Sequence, residues 1–136
     1  MEYSQERQDD LMRAYDEYIS SCDYIRMPDV YNKIVNMPSR RFWVSDIRAA
    51  LVVAAMMRGE AHLDGMCHSK REMYEEIYRR VIALREQHPE MTTSELCAVV
   101  VIQPAPKFYL TPGSAKIMVC KARKEWIKRK LARFRR

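Results

Sequence analysis

The sequence predicts an all-α protein made of two copies of a three-helix repeat. Its 136 residues are 48% hydrophobic and 31% charged and include three glycines, a composition typical of helical globular proteins. The segment PSRRFWVS at 38–45 returns 66 residues later as PAPKFYLT at 104–111. A fixed period of this kind indicates a duplicated structural element.

The match continues without a gap on both sides of these segments. Apolar residues of one copy meet apolar residues of the other: Val30, Tyr31, Ile34 and Val35 correspond to Leu96, Cys97, Val100 and Val101. We therefore expect two repeats, 3–58 and 69–124, joined by a linker at 59–68. Because a segment of about 56 residues buries little surface alone, we expect the repeats to share one core within a single domain, 1–136.

Three helices are predicted in the first repeat. Residues 4–22 carry apolar side chains at three- and four-residue spacing, the pattern of an amphipathic helix. Pro28 suits the first turn of a second helix, which ends near Met37 because a proline follows. Ser45 is a suitable N-cap for a third helix that runs to about Met57.

Three more helices are predicted in the second repeat. Capping-box patterns, in which a hydroxyl residue precedes an acid by three positions, occur at Ser69 with Glu72 and at Thr92 with Glu95. They predict helices at 70–87 and 94–103. Thr111 and Pro112 predict the start of a last helix that continues through a basic tail at 125–136.

The two connectors that precede the third helix of each repeat are rich in aromatic residues. Residues 42–44 and 108–110 favour strands and could pair as two short strands between the repeats. Aromatic residues at helix junctions usually bury their rings. We therefore interpret Phe42 and Phe108 as core residues rather than as part of a binding site.

The last helix is predicted to be amphipathic. We expect one apolar stripe, formed by Ala115, Met118, Val119, Ala122, Trp126, Leu131 and Phe134. The cations of this helix lie mostly outside the stripe.

The net charge of +6 is concentrated in this helix. Residues 121–136 hold nine Lys or Arg and one Glu, whereas residues 1–120 hold 15 Lys or Arg and 17 Asp or Glu. The last helix therefore carries a local charge of +8 on a slightly acidic body. A polyanion would meet that helix first.

The basic helix predicts contacts with a nucleic acid, with DNA favoured over RNA. Its cations could neutralise phosphates, and Trp126 or Phe134 could stack on bases. The candidate contact residues are Lys116, Lys121, Arg123, Lys124, Lys128, Arg129, Lys130, Arg133, Arg135 and Arg136. In a helix-turn-helix arrangement, 94–103 would support 112–124 in the major groove. The third helix of the first repeat, 49–57, is apolar throughout and offers nothing that reads a base edge.

Other partners also fit an amphipathic basic helix. Anionic membrane surfaces and acidic protein grooves both bind such helices. Our second hypothesis is therefore a protein-interaction or assembly module whose basic helix docks on an acidic partner. That partner could be the acidic N-terminal segment 1–38 of another copy, which would make the protein a homo-oligomer.

The sequence contains no pattern typical of an enzyme. It has no glycine-rich phosphate loop, no nucleophile elbow and no recognisable Cys/His pair. Potential zinc ligands are close together in the linker, namely His62, Asp64, Cys67 and His68, but they lack the spacing of a zinc finger. We expect no catalytic residue, no metal site and no cofactor.

Cysteine usage and hydropathy predict a cytoplasmic protein. Four cysteines are scattered without a disulfide framework, and Cys97 and Cys120 lie on apolar faces where we expect buried thiols. The N-terminus is polar and acidic, unlike a signal peptide. The longest apolar run, 49–57, is too short to span a bilayer.

The pattern Pro-x-x-(Arg/Lys)-Phe-aromatic-(Val/Leu)-(Ser/Thr) before a helix resembles small uncharacterised helical proteins of bacterial prophages and mobile elements. It covers 38–49 and, less well, 104–115, where Pro106 and Pro112 depart from it. The resemblance brings no binding residues and implies a role linked to nucleic acids. We therefore expect a non-enzymatic nucleic-acid-binding accessory protein that uses the second repeat and the basic C-terminal helix.

Overall fold

In a computed structural model, which describes residues 3–60 and 62–135, the chain is helical and the predicted all-α class is confirmed. The helices are α1 (Ser4–Ser21), α2 (Met27–Val35), α3 (Asp46–Met57), α4 (His68–Gln87), α5 (Thr93–Val101) and α6 (Pro112–Phe134), with a short 3-10 helix at His62–Gly65. None of the helices in the described residues combines the length and hydropathy needed to cross a bilayer.

Three of the predicted N-caps are confirmed. The hydroxyls of Ser45, Thr92 and Thr111 accept hydrogen bonds from the backbone N–H three residues later, at the starts of α3, α5 and α6. Each hydroxyl satisfies one of the backbone donors that a helix start leaves without an intrahelical partner. These caps explain why the predicted and observed helix starts agree so closely.

The predicted capping box at the start of α4 is wrong. The N-cap residue is Cys67, and it makes no side-chain capping bond. Glu72 does not reach back to Ser69, because its carboxylate pairs with Lys107 and His68 instead. The hydrogen bond from Lys107 lowers the pKa of the Glu72 carboxyl. An ion pair from a distant connector therefore replaces the expected local bond.

The helices form two compact units, and their membership differs from the predicted repeats. Residues 1–37 and 110–136 form a terminal unit, and residues 38–109 form a central unit. Each unit thus holds the first two helices of one repeat and the third helix of the other. The repeats 3–58 and 69–124 therefore do not coincide with the two compact units. Equivalent helices carry equivalent apolar faces, so the sequence pattern could not distinguish α3 from α6 as the third partner.

In the terminal unit, α1, α2 and α6 pack pairwise. Their buried apolar residues are Leu11, Ala14, Val30, Tyr31, Ile34, Val35, Ala115, Val119 and Ala122. One charged residue of these helices, Asp10, is fully buried. Its negative charge is compensated by Arg13, whose Nε and Nη2 donate hydrogen bonds to Asp10 Oδ1 at 2.9 and 2.8 Å.

In the central unit, α5 packs on both α3 and α4, and α3 packs on α4. Their core cluster is Phe42, Val44, Ala49, Val52, Val53, Met73, Tyr74, Ile77, Val81, Leu96, Cys97, Val100, Val101 and Ala105. Two connectors therefore supply core residues beside the helices, as expected for Phe42. Its ring stacks on Tyr109 with centroids 6.0 Å apart, and the Arg80 guanidinium lies 4.9 Å from its centroid.

The short strands predicted at 42–44 and 108–110 are wrong for the described chain. The connectors pair through one isolated antiparallel bridge, between Ser39 and Ala105. Beyond it, the Arg41 side chain donates to the carbonyls of Phe42 and Val44, both at 3.0 Å. Because these carbonyls accept hydrogen bonds from a side chain, they do not accept them from a neighbouring strand, and the strand pairing stops after one residue.

Candidate nucleic-acid interface

The second half of α6 extends beyond the packed part of the terminal unit. Up to Ala122 the helix buries one residue in each turn. From Arg123 to Arg135, the structure describes no buried residue. The helix thus begins as part of a core and continues as an exposed rod, as the predicted extension through the tail requires.

All of the predicted contact residues that the structure describes lie on α6 or at its end and are exposed. They are Lys116, Lys121, Arg123, Lys124, Lys128, Arg129, Lys130, Arg133 and Arg135. Arg136 lies outside the described residues. At about 1.5 Å per residue, Lys116 and Arg135 are roughly 29 Å apart along the axis. That length matches about eight base pairs of B-DNA, at about 3.4 Å of rise each.

These cations form no salt bridges in the described part of the chain, although Asp9 and Asp16 of α1 line a groove together with Arg123 and Arg129. Among residues 3–60 and 62–135, no salt bridge joins any of them to a carboxylate. The one acid within this stretch, Glu125, accepts a hydrogen bond at 3.4 Å from the side-chain amide of Gln8 on α1. The positive field of α6 is therefore open to an external anion.

The predicted stacking residues are accessible. The ring of Trp126 is exposed, and the Lys130 ammonium lies 5.2 Å from its centroid. Phe134 is exposed in the last turn. A cation over an exposed indole is a favourable surface for a phosphorylated base, because the ring can stack while the ammonium meets a phosphate.

The predicted single apolar stripe of α6 is wrong beyond Trp126. Ala115, Val119 and Ala122 face the core, and the helical rotation of about 100° per residue places Trp126 on the same side. That rotation places Leu131 about 160° away from Ala115. Leu131 and Phe134 therefore belong to a different, exposed face.

That exposed face is an apolar row that was not predicted from the sequence. It includes Ile117 and Ile127 together with Leu131 and Phe134, all exposed. The signal was present in the sequence as a spacing of three and four residues. It was hidden because the residues facing the core follow the same spacing with a different phase.

The predicted helix-turn-helix pair does not occur within either compact unit. The structure assigns α5 to the central unit, where it packs on α3 and α4. It assigns α6 to the terminal unit, where it packs on α1 and α2. The connector between them is ten residues long, 102–111, and this length lets the two helices pack in different units instead of forming a tight corner.

Two side chains of the central unit, Cys97 and Tyr109, have raised pKa values. Cys97 is buried as expected, and burial raises the pKa of its thiol to about 11, which keeps it protonated and unreactive. Burial likewise raises the pKa of Tyr109 to about 12. Cys120 is exposed, contrary to expectation, because it lies on the outer face of α6.

Two of the potential zinc ligands in the linker, Cys67 and His68, can be located in the structure. No group of three metal-binding side chains occurs within the described part of the chain. The side chains of His62 and Asp64 lie outside that part. Cys67 and His68 are exposed, and His68 pairs with Glu72.

Comparison of the chain with protein families, curated proteins and solved structures found no match. The resemblance to small prophage and mobile-element proteins therefore stays a hypothesis, as does any function taken from it.

Proposed function

We propose that this protein is a non-enzymatic nucleic-acid-binding accessory protein that uses the exposed part of α6. The observation that supports the proposal is the row of nine described cations on α6, exposed and without salt-bridge partners. A helix end favours two or three cations through its dipole, but not nine. Neutralisation of phosphates gives this charge a function.

The expected mode of binding is contact with the phosphate backbone rather than base readout. The exposed face between the cations carries Ile117, Ile127 and Leu131, which cannot hydrogen-bond to base edges. Affinity should therefore depend on salt and little on sequence. Duplex DNA is favoured over duplex RNA because an α-helix fits the major groove of B-DNA but not the deep, narrow one of A-form RNA.

Within the second repeat, α6 is the helix that we propose to contact nucleic acid. Trp126 and Phe134 add the ability to stack on unpaired bases, so single-stranded DNA is a second substrate to be compared with the duplex. We propose the cytoplasm as the place of action, in line with the reduced cysteines expected there.

The proposal is tested by fluorescence anisotropy with labelled duplex DNA at a series of salt concentrations. Engagement of about four to six cations predicts a slope of roughly −4 to −5 in log K against log salt, at about −0.9 per phosphate contact. The test variant replaces Lys128, Arg129, Arg133 and Arg135 with Gln. Its affinity should fall at least about tenfold at ~0.1 M salt, and its slope should approach −1.

A matched control variant removes the same charge from other parts of the chain. Lys33, Arg48, Arg58 and Lys70 are exposed cations outside α6, and their replacement by Gln should change the affinity by less than about twofold. If both variants lose binding equally, the protein attracts DNA only through its net charge, and α6 is not the contact surface. If the α6 variant binds as tightly as the parent, the proposal fails.

A further inference from the structure

The exposed apolar row of α6 has the spacing of a coiled-coil seam. Ile117, Cys120, Lys124, Ile127, Leu131 and Phe134 succeed one another at alternating steps of three and four residues. These are the a and d positions of a heptad repeat, with Ile117 at a. The large apolar members are 71%, 48%, 52% and 86% exposed, in chain order, so no helix in the described part of the chain covers the seam. Two of its residues touch the edge of the terminal unit: Cys120 pairs with Tyr31 of α2, and Ile127 lines a groove beside α1.

Cations flank this seam on both sides. The e and g positions beside it are Lys116, Lys121, Arg123, Lys128, Lys130 and Arg135, all basic and all exposed. In a coiled coil, side chains at e and g face those of the partner helix and decide which helices pair. Six cations and no acid at these positions specify the charge of the partner.

We propose that this face of α6 is a docking surface for an amphipathic α-helix of another protein, one that carries Glu or Asp at the positions flanking its own apolar row. Apolar side chains of that helix would cover Ile127, Leu131 and Phe134. Its acids would pair with the flanking cations of α6. Burying an apolar row against a helix of opposite charge combines the two terms that drive helix pairing, apolar contact and charge complementarity.

A second copy of this chain is a poor occupant of the same face. Two α6 helices paired through their seams would place six cations opposite six more, and like charges at facing positions oppose pairing. The acidic helix α1 of another copy does not fit either. Its apolar residues Leu11 and Ala14 are buried in the terminal unit, so they are not free to meet the seam.

The seam is short, and this sets the partner's length. From Ile117 to Phe134 it spans 18 residues, or about 27 Å at about 1.5 Å per residue. Lys124 occupies an a position near the centre, where a polar residue fixes register at some expense of stability. A partner helix of about three heptads with an acid opposite Lys124 would match the seam in both length and register.

The test uses a synthetic, fluorescently labelled peptide of three heptads with Leu at a and d and Glu at e and g. We expect it to bind the full chain in an anisotropy titration, whereas the same peptide with Lys at e and g should bind at least about tenfold more weakly. The variant Ile127→Ser with Leu131→Ser should lose at least about tenfold in affinity for the acidic peptide. Its affinity for duplex DNA should stay within about twofold, since its charge is unchanged.

The matched control is a second pair of exposed apolar residues in the central unit. Ile47→Ser with Leu51→Ser removes two exposed aliphatic side chains from α3 and should leave peptide binding unchanged. The proposal is overturned if the parent does not bind the acidic peptide, or if the α6 serine variant binds it as tightly as the parent. Failure of DNA binding alone would not affect it, so the two proposals fail separately.

Two other occupants would be recognised in the same set of samples. If sedimentation shows a parent dimer that the α6 serine variant converts to a monomer, the seam pairs two copies and the proposal is wrong. If the parent binds phosphatidylserine-containing vesicles but not the acidic peptide, and the serine variant binds neither, the face is a membrane surface and the proposal is again wrong.

Discussion

Ser39 and Ala105 form a reciprocal backbone pair, in which each N–H donates to the other residue's carbonyl at 3.0 Å. The two residues are 66 positions apart, which makes them the same position of the two sequence repeats. The bridge therefore joins equivalent positions of the segments 38–45 and 104–111. The offset also relates the bounds of α2 and α5, 27–35 and 93–101. These relations are consistent with the duplication hypothesis.

The backbone pair should be important for the stability of the central unit. Ala105→Pro removes the N–H that donates to the carbonyl of Ser39, and loss of this buried hydrogen bond should cost about 1–3 kcal/mol. Urea denaturation followed by circular dichroism measures the loss. The control Ala105→Ser introduces the residue found at the equivalent position 39 and keeps the N–H. It should be less destabilising, and equal losses for both variants would mean that the bridge itself contributes little.

Phe42 should be the most sensitive residue of the connectors. It is fully buried in the central core, so Phe42→Ala should destabilise the protein by about 3–5 kcal/mol. Its neighbour Trp43 is only partly buried and lies 5.4 Å from the Arg41 guanidinium. Trp43→Ala should cost about 1 kcal/mol in the same urea experiment. If both substitutions lower the unfolding free energy equally, the assignment of Phe42 to the core and Trp43 to the surface is wrong.

The buried carboxylate of α1 provides a test of the terminal unit. Asp10→Ala removes the acceptor of two hydrogen bonds from the half-buried guanidinium of Arg13 and should cost about 2 kcal/mol. The adjacent Asp9 is exposed, and it accepts a hydrogen bond from the exposed side-chain amide of Gln5. Asp9→Ala should therefore change the unfolding free energy by less than about 0.5 kcal/mol. A larger effect at position 9 than at position 10 would contradict the burial of Asp10.

The sequence predicted the helices well but not their partners. Local signals located the starts of α3, α5 and α6, because Ser45, Thr92 and Thr111 cap them with bonds to residues only three positions away. The grouping into units depends on which helix packs where. The apolar faces of α3 and α6 are equivalent in the repeat, so hydrophobic periodicity fits either arrangement.

The candidate interface was predicted in its charge but not in its geometry. Nine of the ten predicted cations lie in the described part of the chain and are exposed. Their exposure could be predicted because Lys and Arg are almost never fully buried. The exposure of an isoleucine cannot be predicted in this way, since isoleucine is usually buried. The exposed Ile117 and Ile127 were not part of the predicted apolar stripe, and the structure shows that Ala115 and Val119 occupy the core side of α6.

The buried thiol of the central unit predicts a change in stability at alkaline pH. Burial raises the pKa of Cys97 from 9.0 to about 11, so folding favours the protonated form. The stabilising contribution is therefore complete below about pH 9 and is lost as the pH rises towards 11. Urea denaturation between pH 8 and 10.5 should show the parent losing stability relative to Cys97→Ala. A difference between the two proteins that stays constant with pH would contradict this assignment.

The final prediction follows from the position of the cations on α6. Six of the nine described cations flank the apolar seam, so a nucleic acid and an acidic helix would use the same charges. An unlabelled acidic heptad peptide should therefore displace labelled duplex DNA and return its anisotropy to the value of free DNA. A control peptide with the same Glu residues but Ser at a and d should displace it far less, because it lacks the apolar contact. The Ile127→Ser, Leu131→Ser variant should bind DNA normally and resist displacement by the first peptide. A rise in anisotropy on addition of that peptide would show a ternary complex, and the two ligands would then occupy separate faces of the protein.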